Sequence, residues 1–240
     1  MEKIDIHCHI LPGIDDGAGS EDESIQMLKA AYSQGIQTVI ATPHASPKYP
    51  DSRPEVIFEL SEKLQRKAQK EIASEFRVYS GQEILFTDSV HEQLENGALL
   101  SLAESSYVLV EFFPSTPYSS IYRVIREFGM TAYVPVLAHI ERYEALREEG
   151  RVEELIRAGA YMQMNYRIIG GKWYDRSVRW CREMLLAGNI HFLGTDMHGA
   201  IHRAPETKSA MEWLQKHLEE AYLEDICGRN VQKLLANIRI

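Results

Sequence analysis

Short apolar runs recur along the chain, and longer segments with apolar residues three or four positions apart lie between them. The first run, residues 4–9, alternates apolar and polar positions, whereas most of the later runs are continuously apolar. Both patterns are typical of β-strands, and the second is typical of strands buried on both faces. The sequence predicts seven strands, at residues 4–9, 38–42, 77–83, 107–111, 133–139, 160–165 and 191–195.

Helices are predicted between the strands from their caps and their apolar spacing. Ser20 and Glu23 form the pattern of a capping box, apolar positions recur at helical spacing from Ile25 to Tyr32, and Gly35 follows. Strands that alternate with helices indicate parallel βα units and therefore an α/β fold. Further helices are predicted at residues 54–72, 119–128, 141–147, 151–158, 175–187 and beyond about residue 205.

A His-x-His pair closes the first predicted strand. Alternation along the strand places His7 and His9 on one face and Cys8 on the other. Two neutral imidazoles on one side of a strand end can bind one divalent metal ion. The pair alone is weak support, because a strand end with two half-exposed histidines has the same pattern.

Six of the seven predicted strands end in, or run directly into, a residue that can bind a metal ion. In barrels of βα units the active site lies where the carboxyl ends of the strands meet. Chance seldom places ligand-type residues at nearly every strand end, so the pattern predicts a site for several metal ions. The residues at these ends are His7, His9, His44, Glu83, Glu111, His139, Asp196 and His198.

The composition limits the kinds of protein that this chain can be. With 240 residues, 45% of them hydrophobic, the chain can bury one large core, and we expect one domain over residues 1–240. It has no run of about 18 apolar residues, so we expect no stable membrane insertion. A net charge of -9 argues against nucleic acid as a partner, because nucleic-acid-binding faces are basic.

The cysteines and the N-terminus bear on location. Cys8, Cys181 and Cys227 occur at unrelated spacings, which indicates a reducing compartment rather than a disulfide framework. The first strand begins almost at the N-terminus, so we expect no signal peptide. Together these features predict a cytoplasmic protein.

The motifs resemble those of the PHP (polymerase and histidinol phosphatase) superfamily. The residues that carry the resemblance are His7-x-His9, Asp16, Thr42-Pro43-His44, Gly81-x-Glu83, Glu111, His139-x-x-Arg142 and Asp196-x-His198. Residues 5–17 further resemble the start of the bacterial manganese-dependent protein-tyrosine phosphatases of capsule and exopolysaccharide loci. Ile140 and Met197 depart from the family pattern but remove no ligand. The resemblance implies a distorted (β/α)7 barrel with a trinuclear metal centre.

The resemblance also implies how nine ligands would share three divalent ions. Five imidazoles and four carboxylates without a thiolate suit manganese best, with iron or zinc as alternatives. Glu83 would bridge two of the ions. The implied ligand sets are His7, His9, Glu83 and Asp196 for one ion, Glu83, Glu111 and His139 for a second, and Asp16, His44 and His198 for a third.

Two arginines and two aromatic loops are expected around this centre. Arg142 and Arg203 occupy positions that the resemblance assigns to phosphate binding, and a guanidinium fork fits phosphate oxygens; the alternative is a surface salt bridge. Tyr49 in one loop, and Phe112 and Tyr118 in another, follow strand ends and are expected to rim the site. Ordinary loop packing is the alternative for these three rings.

The expected substrate is a phosphotyrosyl protein, and the resemblance implies a bacterial tyrosine kinase. Cysteine-based phosphatases require an arginine six positions after the cysteine, and none of the three cysteines here has one. An amidohydrolase barrel typically has a lysine at the end of strand four, where this chain has Glu111. A histidinol phosphatase, or another small-molecule phosphoesterase of the same superfamily, stays open as the alternative.

Overall fold

The computed structural model describes residues 3–240, and every paired strand in that range is parallel to its neighbours. The strands are short, and buried residues fill most of their positions. They are β1 (Lys3–Cys8), β2 (Ile36–Ala41), β3 (His44–Ala45), β4 (Arg77–Ser80), β5 (Glu83–Leu85), β6 (Tyr107–Glu111), β7 (Val134–Leu137), β8 (Tyr161–Asn165) and β9 (Phe192–Gly194).

Helices connect the strands, as parallel strands require. Shorter turns of 3-10 helix lie at Leu102–Glu104, Ile140–Arg142 and Glu144–Leu146, and a π-helical turn lies at Asp225–Arg229. The α-helices are α1 (Glu21–Tyr32), α2 (Pro54–Glu71), α3 (Val90–Glu95), α4 (Tyr118–Phe128), α5 (Arg151–Arg157), α6 (Tyr166–Ile169), α7 (Arg176–Leu186), α8 (Lys208–His217), α9 (Glu220–Glu224) and α10 (Asn230–Leu235).

The strands form two parallel sheets that share two chain passes. One sheet has the order β1-β2-β4 and the other β3-β5-β6-β7-β8-β9. Residues 42–43 separate β2 from β3, and residues 81–82 separate β4 from β5, so each of these two passes leaves one sheet and enters the other. Nine strands therefore correspond to seven passes, as the sequence predicts.

The first and last strands meet and close the curled sheet. A parallel bridge joins Cys8 to Met197, where the His9 amide donates to the Met197 carbonyl at 2.9 Å. The Asp196 amide donates to the His7 carbonyl at 2.8 Å. The predicted distorted α/β barrel is thus confirmed. We call this β1–β9 contact the seam.

Two local predictions need correction. The helix predicted at residues 141–147 is a pair of 3-10 turns, and the left-handed backbone of His139 begins the first of them. In the capping box, Ser20 Oγ accepts from the Glu23 amide as predicted, but the Glu23 carboxylate accepts from Gly19 instead of Ser20. Within residues 3–240, no helix combines the length and apolar character needed to cross a bilayer.

Candidate metal centre

The His-x-His pair ends β1 with both rings buried on one face. His7 Nε2 and His9 Nε2 lie 3.3 Å apart, and neither side chain is exposed. Cys8 points the other way and its thiol lies 3.3 Å from the Ile40 carbonyl, in an apolar cluster. The alternation predicted from the sequence is confirmed.

Glu83, the first residue of β5, lies at the middle of the imidazoles. Its Oε2 is 3.2 Å from both His7 Nε2 and His9 Nε2 and 3.0 Å from His44 Nδ1. Its Oε1 is 2.6 Å from His139 Nε2. One buried carboxylate therefore contacts four rings that arrive from β1, from β3 and from the end of β7.

Asp16 approaches the same imidazoles from the loop after β1. Its Oδ1 lies 3.4 Å from His44 Nε2 and 3.6 Å from His198 Nε2. The His9 and His198 rings stack with centroids 3.8 Å apart. This group lies closer to solvent, because the Asp16 side chain is 46% exposed.

The remaining carboxylates come from the ends of β6 and β9. Glu111 Oε1 lies 3.4 Å from His139 Nε2, and Asp196 Oδ1 lies 3.6 Å from His7 Nε2. All nine residues predicted from the sequence are thus brought together. Four groups have ligand atoms close enough to share an ion: His9, Asp16, His44 and His198; His7, His9 and Asp196; His7, Glu83 and His139; and His44, Glu83 and Glu111.

The donor atoms fit divalent cations. Glu83 Oε2 and A buried polar atom without a hydrogen bond is costly, and a cation at the point where such atoms converge removes that cost. Imidazoles and carboxylates without a thiolate are ligands for manganese, iron or zinc.

The electrostatics of the centre also call for positive charge. Burial opposes protonation of His9 and His139, but hydrogen bonds and charge interactions with carboxylates outweigh it and raise their pKa values to about 10 and about 9. Burial favours a neutral Glu83, yet the surrounding imidazoles hold the pKa of its carboxyl well below the usual value. Protonated imidazoles thus balance the carboxylates in the metal-free chain, and bound cations would take over that role.

Asp15 holds two of the imidazole-bearing segments, and its role was not predicted. Its Oδ2 lies 2.7 Å from His9 Nδ1 and accepts from the His44 amide at 3.0 Å, while Oδ1 accepts from the Gly17 amide. A Cβ on Gly17 would lie 2.1 Å from the His9 carbonyl oxygen, so the loop can approach β1 only with glycine there. A carboxylate on Nδ1 leaves Nε2 of His9 free for a metal ion.

Gln163 and Asn165 orient three more of the predicted ligands. Gln163 Oε1 lies 3.1 Å from His7 Nδ1 and accepts from the His139 amide at 2.7 Å. Gln163 Nε2 donates to Asn165 Oδ1, and Asn165 Nδ2 donates to Asp196 Oδ2 at 3.0 Å. Two polar residues at alternate positions of an otherwise apolar strand were the available signal, and β8 is the predicted strand that ends in no ligand.

The seam is fixed beside these contacts. Asp5, which is fully buried, accepts from the Thr195 amide at 3.0 Å and from the His7 amide at 3.1 Å. A Cβ on Gly194 would lie 2.8 Å from both the His7 Cβ and the Gln163 Nε2. The contact between His7 and Gln163 therefore depends on the missing side chain at Gly194.

Backbone strain is concentrated at the centre. Among residues 3–240, six non-glycine residues have a positive φ, and three of them are His139 (33°), Asp196 (51°) and Arg203 (53°). Such conformations cost energy and persist where the surrounding structure imposes them. Here they follow strand ends and direct functional side chains.

Arg142 and Arg203 lie together at the open side of the cluster. Both guanidinium groups contact Asp196 Oδ2, Arg203 at 2.8 Å. Their side chains are 37% and 41% exposed, so part of each fork faces solvent. Two cations beside a group of carboxylates can bind a dianion that approaches from solvent.

Of the three aromatic rings expected at the rim, one lies beside the centre. Tyr49 stacks parallel to His44, with ring centroids 5.5 Å apart. Tyr118 packs instead against α5, where its hydroxyl donates to the Arg151 carbonyl, and Phe112 is buried among other aromatic rings. The histidines outside the motifs belong to none of the four groups of ligand atoms; these are His91, His191, His202 and His217.

Similarity to known proteins extends over nearly the full chain. The profile of the family described as "Capsular polysaccharide synthesis, CpsB/CapC" matches residues 3–236. Tyrosine-protein phosphatase YwqE of Bacillus subtilis (strain 168) is 34% identical over 239 residues, covering 98% of this chain and 92% of YwqE. Tyrosine-protein phosphatase CpsB of Streptococcus pneumoniae is 32% identical over 238 residues, covering 97% of this chain and 98% of CpsB.

A solved structure agrees closely with the fold. It comes from a crystallographic study of YwqE from Bacillus subtilis and CpsB from Streptococcus pneumoniae, described there as unique metal-dependent tyrosine phosphatases. The TM-score is 0.90 at 33% identity, covering 99% of this chain and 96% of that chain.

A curled parallel sheet with imidazoles and carboxylates gathered at its strand ends defines a metal-dependent hydrolase of the barrel type. The chain belongs to the CpsB/CapC family of capsular polysaccharide synthesis proteins. The relationship to the bacterial metal-dependent tyrosine phosphatases, predicted from the motifs, is confirmed.

Proposed function

We propose that this chain is a metal-dependent protein-tyrosine phosphatase that hydrolyses phosphotyrosine in a protein substrate. The observation that carries the proposal is the cluster of nine imidazole and carboxylate ligands with two guanidinium groups at its open side. The names of the similar proteins and the metal dependence of the solved relatives support it.

Three divalent ions, manganese in preference to iron or zinc, are proposed for this centre. Oxygen and nitrogen ligands without sulfur support manganese. Shared contacts of Glu83 with the imidazoles support its role as the bridge between two ions. The proposed sets are His7, His9, Glu83 and Asp196; Glu83, Glu111 and His139; and Asp16, His44 and His198.

The bound ions would polarise the phosphoryl oxygens and lower the pKa of water toward neutrality. The chain's own residues bind and orient the phosphate around that chemistry. Arg142 and Arg203 would hold its oxygens with forks that stay charged at any working pH. Asp15 and Gln163 keep Nε2 of His9 and His7 directed into the centre by contacting Nδ1.

A tyrosyl leaving group suits a centre with no assigned general acid. The pKa of the phenol is about 10, so its oxygen can leave with less need of a proton than an alkyl alcohol oxygen. We assign no residue to that protonation. This chemistry supports phosphotyrosine over phosphoserine as the substrate.

The proposed partner is a bacterial tyrosine kinase of capsule or exopolysaccharide synthesis, met in the cytoplasm. The family description and the names of the relatives support this choice. The net charge of -9 supports a protein partner over a nucleic acid.

The test is hydrolysis of matched phosphotyrosyl and phosphoseryl peptides, with free histidinol phosphate as a third substrate. We expect the phosphotyrosyl peptide to react fastest, a strong chelator to abolish the reaction, and manganese to restore it best. Equal rates on the two peptides, or a preference for histidinol phosphate, would place the chain with the small-molecule phosphoesterases, which the named relatives do not favour.

A further inference from the structure

A cavity of about 410 Å³ lies directly beside the metal centre. Ala45 and Ile84 form part of its wall, and each follows a centre residue, His44 or Glu83, in the paired strands β3 and β5. Tyr49, whose ring stacks on His44, forms another part. The cavity therefore shares a wall with the centre.

The lining of this cavity differs sharply from the centre in charge. Within the described chain, no side chain that lines it is charged. Apolar groups and the Tyr49 ring alternate with hydroxyl and amide groups, including Ser89 and Gln93. The Ser52 hydroxyl also lines the cavity, is buried, and has no hydrogen-bond partner among the described residues.

The size and chemistry of the cavity point to one kind of occupant. Ligand sites span about 300–1,000 Å³, so this cavity lies near the small end and suits one large side chain. An uncharged lining excludes a charged group, because burying an unpaired charge is costly. The Tyr49 ring favours an aromatic partner, since aromatic rings pack well against one another.

Resting on the proposed function, we propose that this cavity binds an uncharged aromatic side chain of the substrate polypeptide, within a few residues of the phosphotyrosine. An extended chain advances about 3.3–3.6 Å per residue, so a residue near the phosphotyrosine can reach a cavity that shares a wall with the centre. The aromatic residue would position the substrate, and the preference would separate phosphoproteins from free phosphotyrosine.

The test uses the manganese-loaded full chain and short phosphotyrosyl peptides in a glycine-serine background. One phenylalanine is placed in turn at each of three positions on either side of the phosphotyrosine, and kcat/KM is compared with the glycine parent. We expect one position to raise kcat/KM about tenfold or more, because a buried aromatic ring contributes on that scale. Glutamate at the same position should give no gain.

Variants of the cavity wall test the location. Gln93→Trp fills the space, and the isosteric Gln93→Glu introduces a charge with little change of shape; both should remove the phenylalanine gain. Hydrolysis of free phosphotyrosine should stay within about twofold. Glu92→Trp is the matched control, because Glu92 is the exposed preceding residue of α3 and does not line the cavity.

Two results would overturn the proposal: no gain from phenylalanine at any position, or a gain that both Gln93 variants retain. A different result would overturn the proposed function itself, namely that the manganese-loaded wild-type chain fails to hydrolyse even free phosphotyrosine. The two failures are therefore distinguishable in one set of assays.

Discussion

The metal centre has a buried half and an open half, and they differ in what holds their side chains in place. Side chains of the buried half are at most 5% exposed, whereas Asp16, Glu111 and His44 in the open half are 46%, 19% and 16% exposed. The buried half comprises His7, His9, Glu83, His139, Asp196 and His198.

Second contacts follow the same division. In the buried half, Gln163 contacts His7, Asp15 contacts His9, and Asn165 contacts Asp196. In the open half, the printed contacts of the Asp16 side chain are with imidazoles of the centre alone. The comparison teaches that the buried half is built before a metal ion binds, while the open half depends on the ion for its final arrangement.

The largest effect is expected at Glu83. Glu83→Gln removes the buried charge that faces four imidazoles, and breaking such a buried set costs several kcal/mol, so kcat/KM should fall about a thousandfold or more. Elemental analysis should show loss of bound metal as well. A variant with full metal content and full activity would contradict the proposed bridge.

The arginines at the open side come next. Arg142→Ala and Arg203→Ala should each lower kcat about a hundredfold with the metal content retained, because each removes a donor to the charge that develops on phosphate. Lysine at either position should restore part of the rate, since it keeps the charge but loses the fork. If metal and activity were lost in parallel, these arginines would serve only to hold Asp196.

Gln163 tests whether second contacts prepare the buried half. Gln163→Leu should weaken metal affinity about ten- to a hundredfold, with activity recovered at high metal concentration. Gln82→Leu is the control: Gln82 is equally buried but bonds only the Ser52 carbonyl and the Leu100 amide. Similar metal affinities in the two variants would remove the special role of Gln163.

Asp16 tests the open half and should give the smallest effect on activity. Asp16→Asn keeps the shape and an oxygen ligand, so we expect about a tenfold or smaller loss of metal affinity, again reversed by added metal. Titration of the chelated protein with manganese measures it. A loss as large as that of Glu83→Gln would abolish the distinction between the two halves.

His191 lies outside both halves and provides a baseline for effects on the fold. Burial lowers its pKa to about 4, below the unfolded value of about 6.5, so the unfolded chain binds the proton first. Stability from this group is therefore lost as the pH falls from about 6.5 toward 4.

Between pH 7 and pH 5, the free energy of unfolding of the chelated wild type should fall by about 2 kcal/mol more than that of His191→Asn. Asparagine Oδ1 can replace Nδ1 as acceptor for the Met162 amide. Urea unfolding at the two pH values measures the difference. Equal pH dependence in the two proteins would show that this ring does not titrate as expected.

Sequence could predict the ligands because parallel strands place their carboxyl ends together. His44, Glu83 and Glu111 follow from strand ends alone, without any knowledge of strand order. The left-handed turn at His139, which replaces the predicted helix by 3-10 turns, depends on packing around the centre and leaves no local pattern.

The division into buried and open halves could not be predicted either. Gln163 contacts His7 across 156 positions of the chain, so no local pattern links them. Tyr49 and Tyr118 both follow strand ends, yet only Tyr49 meets the centre, because Tyr118 begins α4 and packs on α5. Such outcomes depend on how loops fold back, which spacing does not encode.

The seam joins residues that are nearly the whole chain apart, as in the bond between Thr195 and Asp5 across 190 positions. An ion held by both His7 and Asp196 would act as a cross-link that closes this loop and removes freedom from the unfolded chain. A growing polypeptide lacks the second half of that cross-link until β9 has left the ribosome. Enzymatic competence would therefore arrive late in synthesis, in one step, with the last strand.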